Sequence, residues 1–393
     1  MSAYPKMSLG DFCETGSGGT PSRANTDYYG GSIPWVKSGE LREEVITDTE
    51  EKITERAVKE SSAKIIPKGA ILLAMYGATV GRMAFLGIDA ATNQAVCNIR
   101  PDPKRADSRY VFHCLQSQMN HFLGRAAGGA QPNISQGIVK ETKIPLPSLE
   151  EQQRIAAILD KADALRRKRK RARDLVNSLS GELFVEMFGE CKPNSQRWPL
   201  STVAEMGNVQ LGRQRAPKYQ TGKFRKPYLR VANVYEDRID TDDILSMDFN
   251  DRDFRDYKLD YGDILLNEGQ STELVGRPAM WRSEIQDCCF QNTLIRFQSD
   301  RSRVLPGFAL GLFLQYFRTG EFAKISSKTS NVAHLGAGRF GLMPFPVPPL
   351  SLQHEFVKRV AVCMKMKELC RTDASVTNKL FSSLQTRAFS GQL

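Results

Sequence analysis

The most restrictive feature of this 393-residue sequence is an internal duplication. Ile144-Pro145-Leu146-Pro147-Ser148-Leu149-Glu150-Glu151-Gln152-Gln153 runs into a long helical pattern. Phe345-Pro346-Val347-Pro348-Pro349-Leu350-Ser351-Leu352-Gln353-His354 does the same, with Pro145 and Pro346 201 positions apart. The blocks upstream also echo each other. Ile33-Pro34-Trp35-Val36-Lys37 answers Lys226-Pro227-Tyr228-Leu229-Arg230, Gly69–Leu73 answers Gly262–Leu266, and Val80-Gly81-Arg82 answers Val275-Gly276-Arg277. Solenoid repeats run to about 20–50 residues, so this longer period specifies a duplicated domain followed by a duplicated helix. Such a chain presents two related surfaces at a set separation, which suits a two-part target.

Within the first block, a Gly/Ser/Thr loop at 16–23 precedes predicted strands at Ile33–Lys37, Ala70–Met75, Met83–Leu86 and Ala95–Arg100. A short helix is expected over 53–63 and a longer one over Tyr110–Leu123; the second block repeats the order, with its later helix near Phe308–Phe322. The proline pairs act as rigid leads into the two long helices. Ile155, Ile158, Ala162, Leu165, Ala172, Val176, Leu179 and Leu183 step by three and four with Arg169 interrupting. Phe356, Val360, Cys363, Met366, Cys370, Ala374, Leu380 and Leu384 form the second stripe. Both are the narrow seam of a coiled coil, and the economical arrangement packs the two helices on each other. Each runs to about 40 residues, or about 60 Å. The spacing from Phe184 to Phe389 gives the second helix about four extra residues.

Chemistry is harder to find. The sequence has no G-x-x-x-x-G-K-[ST] loop, no H-E-x-x-H and no C-x-x-C pair, and His113, His121, His334 and His354 do not cluster at ligand spacing. A nuclease reading of Pro101-Asp102 with Glu141-Thr142-Lys143 rests on a pattern short enough to arise by chance. The scattered cysteines fit free thiols in a reducing compartment. No run approaches the ~18 apolar residues of a membrane span, and the N-terminus has no apolar signal core.

A net charge of +11 favours a polyanionic partner. The excess of Lys and Arg over Asp and Glu is two in residues 1–143, one in 144–190 and four in each of 191–344 and 345–393. Contacts to nucleic acid must therefore come from local clusters. Between Leu211 and Arg230 lie seven cations and no acid, interleaved with Tyr219, Phe224 and Tyr228, a composition that grips phosphates and reaches base edges. The counterpart at Gly18–Lys37 is less basic but offers Thr20, Arg23 and Lys37. A second cluster, Arg166–Arg173, fits a solvated helix face and phosphate contact equally; a nuclear-localisation signal is the remote third reading.

Gly18–Ser22, Ile33–Lys37, Ser61–Gly69, Tyr76–Arg82, Thr92–Ala95 and Ile144–Ile155 together resemble the specificity subunit of type I restriction-modification systems over almost the whole chain. The second copy departs at Leu352 and Glu355, where the first has Glu151 and Arg154. The resemblance implies a mixed α/β chain of two target recognition domains (1–143 and 191–344). They would be separated by a central conserved helix (144–190) and a C-terminal one (345–393), packed as an antiparallel coiled coil. It implies a non-catalytic cytoplasmic prokaryotic protein that reads a bipartite double-stranded DNA site, one half per domain. Two modification subunits would supply S-adenosylmethionine and adenine methylation, and restriction subunits ATP- and Mg2+-dependent cleavage; this chain would carry no cofactor. Candidate DNA contacts are Thr20, Arg23, Lys37, Tyr76, Thr79, Arg82, Arg213, Arg215, Lys223, Arg225, Arg230, Gln270 and Arg277. Candidate subunit-docking residues are Gln152, Ile155, Ile158, Leu165, Gln353, Phe356 and Val360. The competing reading is a structural adaptor that reads no DNA.

Overall fold

The computed structural model describes residues 4–125, 133–190, 198–214, 221–329 and 332–393. The chain divides into two compact units, Met1–Lys170 with Thr372–Leu393, and Arg171–Arg371, so each unit holds one strand-rich block and one stretch of each long helix.

In the first unit, Cys13–Ser17, Val96–Pro101, Ile71–Ala74, Met83–Leu86 and Val45–Ile46 form a five-stranded sheet in that order, antiparallel except at its last pair. Ile71 to Ala74 are all buried, which explains the unbroken apolar run of that strand. Tyr29–Val36 centres a second, four-stranded sheet with Glu51–Ile53, Ala90–Thr92 and Ile65–Ile66. In the second unit, Gly207–Leu211, Leu294–Ser299, Ile264–Asn267 and Pro278–Met280 form the matching sheet. Each block is closed by its own ends: Lys6–Ser8 pairs with Lys143–Pro145, and Leu200–Thr202 with Pro344–Pro346.

The expected strands are present to within a few residues. The expected helix over 53–63 is shorter, Glu55–Glu60: the Thr54 side chain accepts from the Ala57 N–H and caps its start, and Ser61 turns extended at its end. The helix expected over Tyr110–Leu123 is two, Ser108–Ser117 and Met119–Arg125. Its counterpart also breaks, into Pro306–Arg318 and Glu321–Ile325, at Gly320 with φ +75°.

The two long helices are Leu149–Phe188 and Leu350–Ser390, of 40 and 41 residues, so the four-residue excess expected for the second reduces to one. Within each unit their stretches run antiparallel. In the first, Arg154 donates to the Leu393 carbonyl, Arg166 lies 4.7 Å over the Phe381 ring, and Arg169, the residue that interrupted the stripe, donates to Thr377. In the second, Lys367 reaches Ser180, and Phe184 and Phe188 pack 5.5 and 5.3 Å from Phe356. Burying each phenylalanine is worth about 1.5–3 kcal/mol, with about 0.5–1.5 more per aromatic pair.

The seam differs from the sequence stripes. Ile155, Ala156 and Leu159 share a core with Phe381 and Ala388, whereas Leu165, Leu179, Met366 and Leu380 are exposed; the Ala374 side chain lies outside the described residues. A straight helix drifts by about 20° per heptad from a 3.5-residue repeat, so a stripe followed over about eight turns leaves the contact line.

A buried glutamine fixes where each helix starts, and it does so twice. Gln152, with no exposed surface, donates to the carbonyls of Arg105 (3.1 Å) and Pro147 (3.0 Å) and accepts from the Asp107 N–H (2.9 Å). Gln353, also fully buried, donates to Arg303 (3.1 Å) and Pro348 (2.9 Å) and accepts from Leu305 (2.9 Å). All three amide bonds are made to main chain, so each helix is tied both to its own proline lead and to the turn before a domain helix.

Candidate nucleic-acid interface

The most faithfully repeated local structure is a turn that ends in arginine. After Ile71–Ala74 the Gly81 N–H donates to the Ala74 carbonyl (2.9 Å), the Arg82 N–H to Thr79 (3.0 Å), and the Ala74 N–H back to Arg82 (2.9 Å). After Ile264–Asn267 the same bonds join Gly276 to Asn267 (2.8 Å), Arg277 to Leu274 (3.3 Å) and Asn267 to Arg277 (3.2 Å). Gly81 and Gly276 have φ of +84° and +75°. A Cβ at Gly81 would sit 2.8 Å from the Met119 sulfur, and one at Gly276 would sit 2.5 Å from the Phe322 ring, so glycine is required twice over. A second segment braces each turn: the Ile134 N–H donates to Met75 and the Leu335 N–H to Glu268.

Facing each turn is a short loop with its own repeated cap. The Lys37 N–H donates to the Glu40 carboxylate (2.7 Å) and the Arg230 N–H to the Asn233 side chain (3.0 Å), opening 3-10 turns at Ser38–Glu40 and Val231–Asn233.

Half of the described cations expected to meet DNA already have acidic partners. Arg23 pairs with Glu51 (2.7 Å) and lies 4.4 Å over the Tyr29 ring, and Lys37 Nζ is 3.0 Å from both Glu50 and Glu51. Hydrogen bonds from Arg23 and Lys37 hold the Glu51 carboxyl at about 2. Arg213 pairs with Asp253 (2.6 Å), and Arg230 with Asp243. Arg215 lies outside the described residues. Thr20 bonds Gln94, Tyr76 bridges Asn133, and the Gln270 side-chain oxygen accepts from the Ser271 N–H (3.1 Å). Thr79 is half-buried in the first turn.

Lys223, Arg225, Arg82 and Arg277 have no acidic partner among the described residues. Lys223 and Arg225 are exposed beside a loop pinned by Asp248, whose carboxylate accepts from Thr221, Gly222 and Phe224. Burial raises the Asp248 pKa, but those hydrogen bonds outweigh it and leave the carboxyl below its usual range. Arg82 is exposed. Arg277 is half-buried, with Nε shielded from solvent and unbonded, and desolvation holds its guanidinium below the usual range. Its guanidinium lies 4.6 Å over the Tyr235 ring, which Arg238 also covers at 4.5 Å. Arg42, Tyr235 and Arg238 escaped the sequence reading, although the 193-residue offset of Lys37 from Arg230 aligns Arg42 with Tyr235.

The docking candidates divide. Gln152, Ile155, Gln353 and Phe356 are buried within their own units, where their surfaces are already used. Ile158 and Val360 are half-buried, and Leu165 is exposed. The apolar side chains the long helices present to solvent are instead led by Leu175 and Leu369, 68% and 70% exposed. In the basic cluster, Arg166 and Arg167 pair with Asp163, Arg167 also with Glu44, while Lys168 and Lys170 are exposed. Among the described residues no group of three or more His, Cys, Asp or Glu is placed to hold a metal, and no helix is long and apolar enough to cross a membrane.

Two mixed α/β blocks, each with a stretch of two antiparallel long helices, define the fold class. It is shared with the type I restriction-modification S subunit from M. genitalium (TM-score 0.58, 16% identity, 99% of this chain and 96% of that one). A second solved chain agrees (TM-score 0.58, 17% identity, 99% and 98%), from work on complex assembly and conformational transition of the type I R-M system. The profile of the type I restriction modification DNA specificity domain matches residues 1–173. The MjaIX specificity subunit of Methanocaldococcus jannaschii is 31% identical over 273 residues, covering 63% of this chain and 61% of the relative. The EcoKI specificity subunit of Escherichia coli is 22% identical over 386 residues, covering 92% and 82%. Over residues 1–173 the chain is similar to the type I restriction modification DNA specificity domain, and the relatives it matches are type I restriction enzyme specificity subunits. It spans 61% of the length of the MjaIX subunit.

Proposed function

We propose that this chain reads a bipartite DNA sequence, residues 1–143 recognising one half-site and residues 191–344 the other. The observation that carries the proposal is the repeated turn that ends in an arginine without an acidic partner among the described residues, once in each block. A guanidinium left without a carboxylate is suited to phosphate or to the paired acceptors of a guanine edge. Arg277 adds to this, because its buried Nε and lost hydration carry a cost that an anionic or acceptor-rich partner offsets. Lys223 and Arg225 extend the second surface as phosphate contacts.

In this reading the long helices (144–190 and 345–393) set the unread gap between half-sites, and their exposed apolar residues, among them Leu175 and Leu369, receive modification subunits. Those subunits bring S-adenosylmethionine and the methylation chemistry, and restriction subunits bring ATP- and Mg2+-dependent cleavage, all in the prokaryotic cytoplasm. The test is selection from a randomised duplex pool by the chain assembled with its modification subunits. Two short sequences at one spacing are expected. Arg82→Ala should relax one half-site and Arg277→Ala the other, by about 1–3 kcal/mol at a position. Selection of no sequence would leave an adaptor that does not read DNA.

A further inference from the structure

The residue facing the repeated arginine differs between the two blocks, and that difference defines a site. In the first block it is Arg42. Its Nε donates to the Gly39 carbonyl (2.9 Å), which fixes the side chain and leaves both terminal nitrogens without a hydrogen bond among the described residues. Arg42 and Arg82 are both exposed and neither has an acidic partner among the described residues. Together with Gly39, Leu41, Thr79 and Met83 they line an open groove of about 690 Å³. Two like charges sharing one groove repel, and no carboxylate among the described residues pairs with either. The arrangement becomes favourable when an acceptor-rich group enters between them.

In the second block Tyr235 takes this place, and Arg277 and Arg238 both lie over its ring. Stacking holds a guanidinium plane and leaves its N–H edge free for in-plane acceptors. Arg238 is paired with Asp240 (3.3 Å), so one block offers two guanidiniums without an acidic partner among the described residues where the other offers one, Arg277, held on an aromatic ring.

We propose that Arg42 and Arg82 form a two-guanidinium clamp for a paired-acceptor group of DNA, and that Tyr235 is its counterpart, orienting Arg277 in the second block. The proposal rests on the DNA-reading function above and adds the residues that make the half-sites chemically different. Paired acceptors occur on the guanine edge, as O6 and N7, and on the phosphate. The two sources give different signatures.

The experiment uses the full chain assembled with its modification subunits and compares wild type with Arg42→Ala, Arg42→Lys and Tyr235→Ala. Selected sequences are read from a randomised pool, and affinity for the wild-type target is read across salt concentrations. If the clamp holds a guanine edge, R42A relaxes preference at one position of the first half-site by about 5- to 150-fold. R42K does not restore that preference, because an ammonium cannot make the forked contact. If it holds a phosphate, R42A weakens binding to all sequences alike and removes about 0.9 from the log–log salt slope, and R42K restores most of it. Either result supports the clamp. Y235A should relax the second half-site alone. Unchanged preference and slope in R42A, with wild-type selection intact, overturns the clamp and leaves the DNA-reading function standing. A wild-type complex that selects no bipartite sequence overturns both.

Discussion

Replacing Gln152 with leucine keeps roughly the volume of the side chain and removes its amide. Three main-chain groups then lose their partner: the Asp107 N–H and the carbonyls of Arg105 and Pro147. Each unsatisfied buried polar group costs about 1–3 kcal/mol. Relaxation and water entry at the half-exposed helix start spare part of that, so a loss of about 3–5 kcal/mol is expected for the first unit. Gln152→Glu separates the terms. Its carboxylate still accepts from Asp107 but faces two carbonyl oxygens, so the variant should recover stability on acidification, when one oxygen becomes a donor. Gln353→Leu should cost the second unit a similar amount, because Gln353 makes the same three bonds. Amide hydrogen exchange at Asp107 and Leu305, with urea unfolding followed in parallel, reads each unit separately. A Q152L variant within about 0.5 kcal/mol of wild type would refute the reasoning. So would a clear disparity between Q152L and Q353L.

Three further outcomes follow from side-chain pairings. Glu51→Gln removes the acid shared by Arg23 and Lys37, so DNA affinity should rise and its salt dependence steepen, by up to about 0.9 in log–log slope per cation recruited to phosphate; an unchanged slope would keep both cations out of the interface. Gly276→Ala should destabilise more than Gly81→Ala, because the Phe322 ring cannot step aside as the Met119 thioether can; thermal unfolding of the two variants decides the order. Glu51 and Glu151 both have carboxyls depressed to about 2, Glu51 by its bonds to Arg23 and Lys37 and Glu151 by its bond to Arg154. Their contribution to stability is therefore fully present above an unfolded value of about 4.3 and is lost as pH falls through about 2. Because both are partly exposed it should be small, and acid unfolding of E51Q and E151Q should show a shallower dependence across that window than wild type.

The duplication made much of the fold legible, since each strand and helix could be checked against a copy about 200 residues away. Side-chain pairing was not legible. The sequence shows Arg23 and Lys37 as cations but not that the bulge-containing Tyr29–Val36 strand lies beside Glu51. Arg213 likewise meets an aspartate 40 positions on. Gln152 and Gln353 read as surface residues because glutamine is seldom buried, and only their complete hydrogen bonding makes burial tolerable. The exposed stretches of the helical stripes looked like seam because periodicity reports an apolar face without reporting what covers it. Arg82 and Arg277 stand out as candidates in the sequence because the Val-Gly-Arg repeat is itself the turn. Arg42 does not stand out in the sequence, because its counterpart at the same offset is a tyrosine.

The central claim is that the two blocks are separate readers of two half-sites, and exchanging one block tests it most directly. Residues 1–143 are replaced by the matching block of a relative with a different target, and the methylated motif is read from the DNA of cells that carry the hybrid with its modification subunits. One half-site should change to that of the donor while the other half-site and the gap stay as they were. A hybrid that is active but changes both half-sites, or neither, would contradict the account.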